Sequence, residues 1–351
     1  FSKSYRVRMN IEQEVNKFIK FGNNVSLSRQ ENGDQNNGSN ALGGAIASSL
    51  RLLPNVSPYD VNGWEGYNIG YNPNPALSTP NMFSGPNGRA IEDNFSNVVY
   101  TLRRNRVYAD DYRIIDNAFG EISLMKGLKF RSQVGIDMFQ DRSAIANNYY
   151  HGDGYLSTSN SIDNGDQNIL RLDWTNVLSY NRSFKGHNLF LTVGHEAQTE
   201  KATSIRLFAS TISDPFFIQE NYISGSASVQ QINGSYDKRN GFLSYFGRLN
   251  YDYKNKYFLQ GSLRRDGQSA LAPGHKYGLF PGVSVGWLPS EEKFWKSKKI
   301  NELKLKASYA KVGNTLCGYP YLTNFGPRNY CNLGGLGPTG VGHPDLQWES
   351  S

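Results

Sequence analysis

The chain is poor in the residues that hold small secreted folds, metal centres or helical membrane proteins together. Of 351 residues only 2 are cysteine, 4 methionine and 5 histidine. Cys317 and Cys331 have no Cys or His neighbours at ligand spacing, which argues against a zinc site. Long apolar runs are also missing. A membrane-crossing helix needs about 20 successive apolar residues, and the best stretch, 41–53, is broken by glycines, serines and Arg51. Mean hydropathy is −0.57 and hydrophobic residues make up 38%, so helical spans are not expected. No basic segment followed by an apolar run opens the chain at Phe1, and any export leader is expected outside these residues. The net charge is +7, yet Lys and Arg are spread along the chain and form no basic block, so no nucleic-acid partner is expected. The glycine-rich run 334–342 lacks the Gly-Lys-Ser/Thr ending of a phosphate loop. No catalytic triad or cofactor motif stands out, and no enzymatic activity is expected.

What is abundant is aromatic residues, 13% of the chain with 22 Tyr and 19 Phe, arranged in period-two stretches. Tyr5, Val7, Met9 and Ile11 alternate with Arg6, Arg8, Asn10 and Glu12. Leu170, Leu172, Trp174, Leu178 and Tyr180 alternate with Arg171, Asp173, Thr175, Ser179 and Asn181. Leu249, Tyr251 and Tyr253 alternate with Arg248, Asn250 and Asp252. Such strands place apolar side chains on one face and polar ones on the other.

A soluble sandwich or propeller also alternates, but the connections here take turns between short and long. Short links fall at Asn16-Lys17, Lys126-Gly127, Lys185-Gly186 and Lys254-Asn255-Lys256, and long polar stretches at about 31–110, 140–167, 206–238 and 313–351. Soluble domains seldom carry loops longer than about 15 residues without a functional reason. Tight turns at one rim and long loops at the other characterise outer-membrane barrels. The reading is therefore all-β: residues 1–351 form part of a transmembrane antiparallel β-barrel, with about ten spanning strands and the four long stretches outside the cell.

The region from 241 to 314 carries a series of specific motifs. Tyr245-Phe246-Gly247-Arg248-Leu249-Asn250-Tyr251 is followed by Arg264-Arg265-Asp266-Gly267, Tyr277-Gly278-Leu279-Phe280-Pro281, Gly286-Trp287, Leu303-Lys304-Leu305-Lys306-Ala307-Ser308-Tyr309 and Val312-Gly313-Asn314. In order these resemble the barrel of SusC/RagA-like TonB-dependent transporters. Gln268-Ser269-Ala270-Leu271 and Gly282 depart from the family pattern in loop detail. The resemblance implies a plugged barrel of about 22 strands, with the plug, its TonB-contacting segment and the closing strands outside these residues. It implies location in the bacterial outer membrane, surrounded by outer-membrane lipid, and TonB-dependent import of oligosaccharides or peptides beneath a SusD-like surface lipoprotein. A siderophore-type receptor without a lid and a barrel anchor of a surface assembly remain alternatives.

Candidate residues follow from that frame. Arg171, Asp173, Arg248, Asn250 and Asp252 are expected to face the lumen. Arg264, Arg265 and Asp266 sit where a strand should enter a turn at Gly267, as substrate contacts or as a charge network bracing the rim. Trp174, Trp287, Tyr251 and Tyr257 are expected mostly in interfacial girdles. His151-Gly152-Asp153-Gly154 and Asp163-Asn164-Gly165-Asp166 lack a full calcium-loop spacing and read as loop turns. Cys317 and Cys331 fall in a stretch placed outside the cell, where a disulfide is permitted.

Overall fold

The computed structural model describes residues 2–33, 46, 49–50, 54, 56–61, 63–68, 97–148, 160–219, 221, 223, 227–296, 299–314, 318–330 and 333–350. Ten antiparallel strands form one sheet in which neighbours in sequence are neighbours in space. They are β1 (Ser2–Asn16), β2 (Ile19–Asn32), β3 (Arg106–Met125), β4 (Leu128–Asn147), β5 (Ser161–Phe184), β6 (His187–Ile212), β7 (Ala227–Tyr253), β8 (Tyr257–Gln268), β9 (Tyr277–Trp287) and β10 (Leu305–Ala310). Two small sheets follow, pairing β11 (Gly313–Asn314) with β14 (Glu349–Ser350) and β12 (Asn324–Tyr330) with β13 (Leu333–Gly340). Among the described residues no helix is long and apolar enough to cross a membrane.

The short links are all hairpin turns at one end of the sheet. Lys185 and Gly186 both have positive φ, 46° and 84°, the conformation that matches the right-handed twist of the strands they join. Gly127 is constrained more tightly: its φ is 85°, and a Cβ there would lie 2.1 Å from the Asn181 carbonyl oxygen. At the first turn the Asn16 side chain accepts from the backbone N–H groups of Phe18 and Ile19, at 2.8 and 3.0 Å.

At the other end the strands run further than their alternation suggests. β4 continues to Asn147, β5 begins at Ser161, β6 reaches Ile212 and β7 begins at Ala227, leaving connections of 33–105, 148–160 and 213–226. Asp163 and Asp166 accordingly lie in β5, correcting the loop-turn reading; the strand tolerates them because cross-strand arginines pair each one. Arg206 pairs with Asp163, and the Arg142 Nε lies 3.2 Å from Asp166. His151 and Asp153 are outside the described residues, as are Cys317 and Cys331.

Among the described residues close packing lies mostly at the long-connection end, with Phe119 of β3 buried nearer the turns. Ile162, Ile212 and Ile218 are fully buried with Ala146, and Phe217 and Ile223 pack against them. Beside this cluster the Asn160 amide is buried, accepting from the Ile212 N–H at 2.6 Å and donating to its carbonyl at 2.9 Å. A second packed element is the helix Val98–Arg104, whose start is capped by Asn97 accepting from the Tyr100 N–H at 3.1 Å. Tyr100 is buried edge-on to Tyr67.

The ladder register carries the period-two pattern across the whole sheet. Leu172 lies opposite Ile136 and Thr199, whereas Arg171 lies opposite Asp137 and Glu200. One face therefore exposes Val7, Met9, Leu27, Ile136, Leu172, Val193, Leu263 and Val285. The apolar face has interruptions that satisfy each other, as where the Asn23 amide donates to Asp116 at 2.7 Å. The sheet is a wall with an apolar outside and a polar inside, which is what a barrel strand in lipid requires.

Candidate functional site

The polar face gathers the candidate residues. Arg171 and Asp173 share it, and the register adds partners from neighbouring strands. Arg113 on β3 grips Asp137 on β4 with two parallel hydrogen bonds, 2.8 Å from Nε and 2.6 Å from Nη2. Arg171 on β5 lies 3.7 Å from the same carboxylate and donates from Nε to Glu200 on β6 at 2.5 Å. Cation and anion thus alternate across four strands. Asp173 accepts instead from the Thr175 hydroxyl at 2.7 Å. Paired, two-pronged geometry of this kind orients side chains and ties strands together.

Arg264 and Asp266 come together, but Arg265 does not join them. Arg264 donates from Nε to Asp266 at 2.6 Å and from Nη2 to Glu196 on β6 at 2.9 Å. Arg265, one residue on, points to the opposite face, its guanidinium 4.4 Å from the Tyr277 ring centre. Strand alternation forces this split. β8 also runs through Gly267 to Gln268, so the turn begins later than expected.

Asn250 and Asp252 line a different feature, a cavity of about 470 Å³ near the hairpin-turn end of β6–β10, and Arg248 lies two residues before Asn250 on the same face. Arg248 donates to the Asn250 side-chain oxygen at 3.3 Å, and Asp252 accepts from the Asn188 amide at 3.0 Å. The cavity is also lined by Asn181, Gln260, Ser284, Lys304, Lys306 and Ser308. Sequence reasoning missed Asp137, Glu196, Glu200, Lys304 and Lys306 as lining groups. Their parity was readable, but cross-strand register was not.

The expected girdle residues divide. His187, Tyr251, Tyr253, Tyr257 and Trp287 cluster at the turn end of the apolar face, with the His187 and Tyr253 rings 4.5 Å apart and Tyr257 opposite Trp287. Just past β9, Glu292 accepts from the Tyr257 hydroxyl at 2.6 Å, and this bond, more than nearby Trp287 and Lys256, holds its carboxyl below the usual range. Trp174 lies apart from this cluster, in a second ring row with His195 and Tyr245. It lies within the apolar run of β5 and donates from its indole nitrogen to Ser132 at 3.2 Å. Among the described residues no group of three or more His, Cys, Asp or Glu side chains is placed to hold a metal ion.

No protein-family model matches the chain. It is 26% identical to "TonB-dependent receptor P3" of Formosa agariphila, over 99% of this chain and 33% of that protein. It is 23% identical to "TonB-dependent receptor SusC" of Bacteroides thetaiotaomicron, over 86% of this chain and 29% of that protein. The solved structure of the RagAB peptide transporter superposes with a TM-score of 0.75 at 21% identity, covering 99% of this chain and 37% of that one. The chain spans about a third of the length of these relatives. The sheet, its two-faced register and the fold likeness define a wall segment of an antiparallel β-barrel. In sequence the chain is similar to TonB-dependent receptors, and the likeness is SusC/RagA-like.

Proposed function

We propose that the whole protein imports bulky polar nutrients, oligosaccharides or peptides, across a bacterial outer membrane, driven by TonB and covered by a SusD-like lipoprotein. The observation that carries this reading is the asymmetry of the wall: hairpin turns at one rim, long connections at the other, and a charged face opposite an apolar one. Such a wall suits a hydrated interior bounded by lipid. SusC and RagAB, whose names are those of a TonB-dependent receptor and a peptide transporter, support the assignment. The hairpin turns are then periplasmic, and the connections 33–105, 148–160 and 213–226 extracellular. Arg264 with Asp266 and Glu196 braces the lumen wall, and Arg265 sits at the lipid boundary.

The test is uptake of a panel of fluorescein-labelled peptides and oligosaccharides by cells carrying the full-length protein. Accumulation of at least one class should vanish on deletion of TonB or of a neighbouring lipoprotein gene. Uptake unaffected by TonB loss overturns the proposal. Topology is read separately: Val61→Cys, at a position 94% exposed, should react with an impermeant maleimide on intact cells and Asn255→Cys should not, the reverse pattern inverting the orientation. A disulfide between Cys317 and Cys331 belongs to the same outward placement. Two alkylatable thiols in non-reducing peptide maps would exclude it.

A further inference from the structure

Near the hairpin turns, carboxylates and cations are sorted between the two faces of the sheet. The carboxylates lie on the polar face and are held there. Glu12 is 2.6 Å from Lys20, Glu121 accepts from Lys129 at 2.7 Å, and Asp252 accepts from the Asn188 amide at 3.0 Å. The apolar face differs. Within 176–184 on β5, 187–195 on β6, 245–253 on β7 and 257–261 on β8, the residues that share this face with Tyr251 include no Asp or Glu. They do include Arg182, opposite Leu189. Lys185 and Lys254, in the turns beside it, are exposed, as Arg182 is.

Contacts between the two turns gather these cations into one patch. The Lys254 N–H donates to the Gly186 carbonyl at 2.6 Å, and a Cβ at Gly186 would lie 3.0 Å from the Lys254 Cγ, so the lysine stem rests on the neighbouring hairpin. Its ammonium is 5.0 Å from the Tyr253 ring centre. The Arg182 guanidinium is 5.6 Å from the ring centre of Phe184 and donates to the Tyr180 hydroxyl at 3.4 Å. The rings form a platform: Phe184 stacks on His187 at 5.0 Å, and the His187 Nδ1 is 2.8 Å from the Tyr251 hydroxyl. Lys256 has an acid partner, Glu292 at 3.6 Å, whereas among the described residues Arg182, Lys185 and Lys254 have none within ion-pair distance. The patch faces away from the lumen and is flanked by β4 and β9, so an interior plug and strands added beyond β10 leave its outer side open.

We propose that this patch is a docking surface for an anionic phospholipid, its phosphate held by Arg182, Lys185 and Lys254 and its acyl chains lying on Leu189, Leu191, Leu249 and Leu259. Those leucines share the face with the ring platform. Aromatic rings of this kind settle at the boundary between headgroups and acyl chains, where long cationic side chains reach outward along them. Charge selects the lipid. A zwitterionic head carries its own cation beside each phosphate, whereas an anionic head leaves its charge for the protein to neutralise. A free phosphate ion would meet the same cations without using the apolar surface next to them. Lys17, 4.9 Å from the Phe18 ring centre, and Lys126 continue the basic rim in the other two short turns. The inference rests on the reading of the apolar face as lipid-facing, and the periplasmic placement of the turns puts the lipid in the inner leaflet.

The experiment is photo-crosslinking of the full-length protein in phosphatidylcholine vesicles that contain a small, equal fraction of either phosphatidylglycerol or phosphatidylcholine carrying a diazirine near the head of one acyl chain. Peptide mapping then counts adducts at 178–191 and 249–259. At low salt the phosphatidylglycerol probe should give at least about fivefold more adduct there, the scale of one basic residue near an anionic surface, and the excess should shrink as salt is raised. Arg182→Gln with Lys185→Gln and Lys254→Gln should bring the two probes to parity. Arg182→Lys with Lys185→Arg and Lys254→Arg should keep the excess. Folding of each variant is checked by the heat-dependent gel mobility of the barrel, and Arg182→Gln or Lys254→Gln alone should lower the excess in part. Equal yields from the two probes in the unaltered protein, or an excess that survives in the triple glutamine variant, overturns the inference. Both leaflets of these vesicles hold the same lipids, so an excess found in a protein whose turns label from outside the cell, or whose uptake ignores TonB, counts against the import reading and leaves the docking surface standing.

Discussion

Two sectors of the same polar face are held in different ways. Across β3–β6, Arg113, Asp137, Arg171 and Glu200 neutralise one another in a continuous row on strands of 20–26 residues. Across β8–β10 the strands shorten to 12, 11 and 6 residues, and Lys306 on the last one and Lys304 just before it face amides, a hydroxyl and an aromatic ring. Charge in the first sector is spent on strand-to-strand attachment, which tall strands need where they outrun the roughly 9–11 residues that cross a bilayer. Charge in the second is paired at Arg264, by Asp266 and Glu196, but not, among the described residues, at Lys304 and Lys306. Cationic side chains thus tie strands together where a complementary charge lies across the ladder.

The largest effect should come from the face the sectors share. Leu172→Arg in the first and Val283→Arg in the second each place a cation on the apolar side, at a cost of about 2–4 kcal/mol near the midplane, whereas Thr175→Arg places it inside. Refolding yields into lipid vesicles should fall sharply for the first two and little for the third; equal yields for all three would remove the two-faced reading. Next is Asp137→Ala, which leaves Arg113 and Arg171 without their shared anion. It should cost about 1–2 kcal/mol, discounted because both arginines are nearly half exposed. Urea titration of the refolded barrel should show it, with Asp252→Ala costing clearly less.

A smaller contrast concerns turns. Gly127→Ala forces a methyl against the Asn181 carbonyl at positive φ and should cost about 1 kcal/mol or more. Asn255→Ala, at a φ of 55° that asparagine tolerates well, should cost less in the same titration. The smallest effect is a pH dependence at Glu292. Its folded pKa lies below the unfolded value, so the Tyr257 clasp is fully present above the usual carboxylate range of about 4.3 and is lost as pH falls through the depressed value. Hydrogen exchange at 289–296, corrected for intrinsic rates, should be flat from pH 8 to 5 and rise below that. Tyr257→Phe should move the onset upward.

Much of this wall was legible in the residues. Alternation in Leu170 to Tyr180 fixes which side chains share a face, because a strand's period is two whatever surrounds it. The turns at Lys126-Gly127 and Lys185-Gly186 were legible because only a few residues accept positive φ. Partnership was not. Glu196 and Arg264 are 68 residues apart, and nothing local to either announces the other. Strand ends were also hidden, since Asp163 and Asp166 look like turn residues until Arg206 and Arg142 are seen across the ladder. Arg265 was grouped with its neighbours by sequence and separated from them by geometry.

The strand order, running from β1 to β10 without a crossover, bears on how such a wall is built. Within this sheet each described strand pairs with the strand made just before or just after it, so most pairings form between near neighbours in the chain. Loop closure is paid one hairpin at a time, and contacts of this kind form faster than those that join remote segments. The slow steps fall at the longest excursions, chiefly 33–105, where β3 must find β2 after more than seventy residues. Shortening that excursion should speed insertion of β3 while leaving the register of every other hairpin as it is.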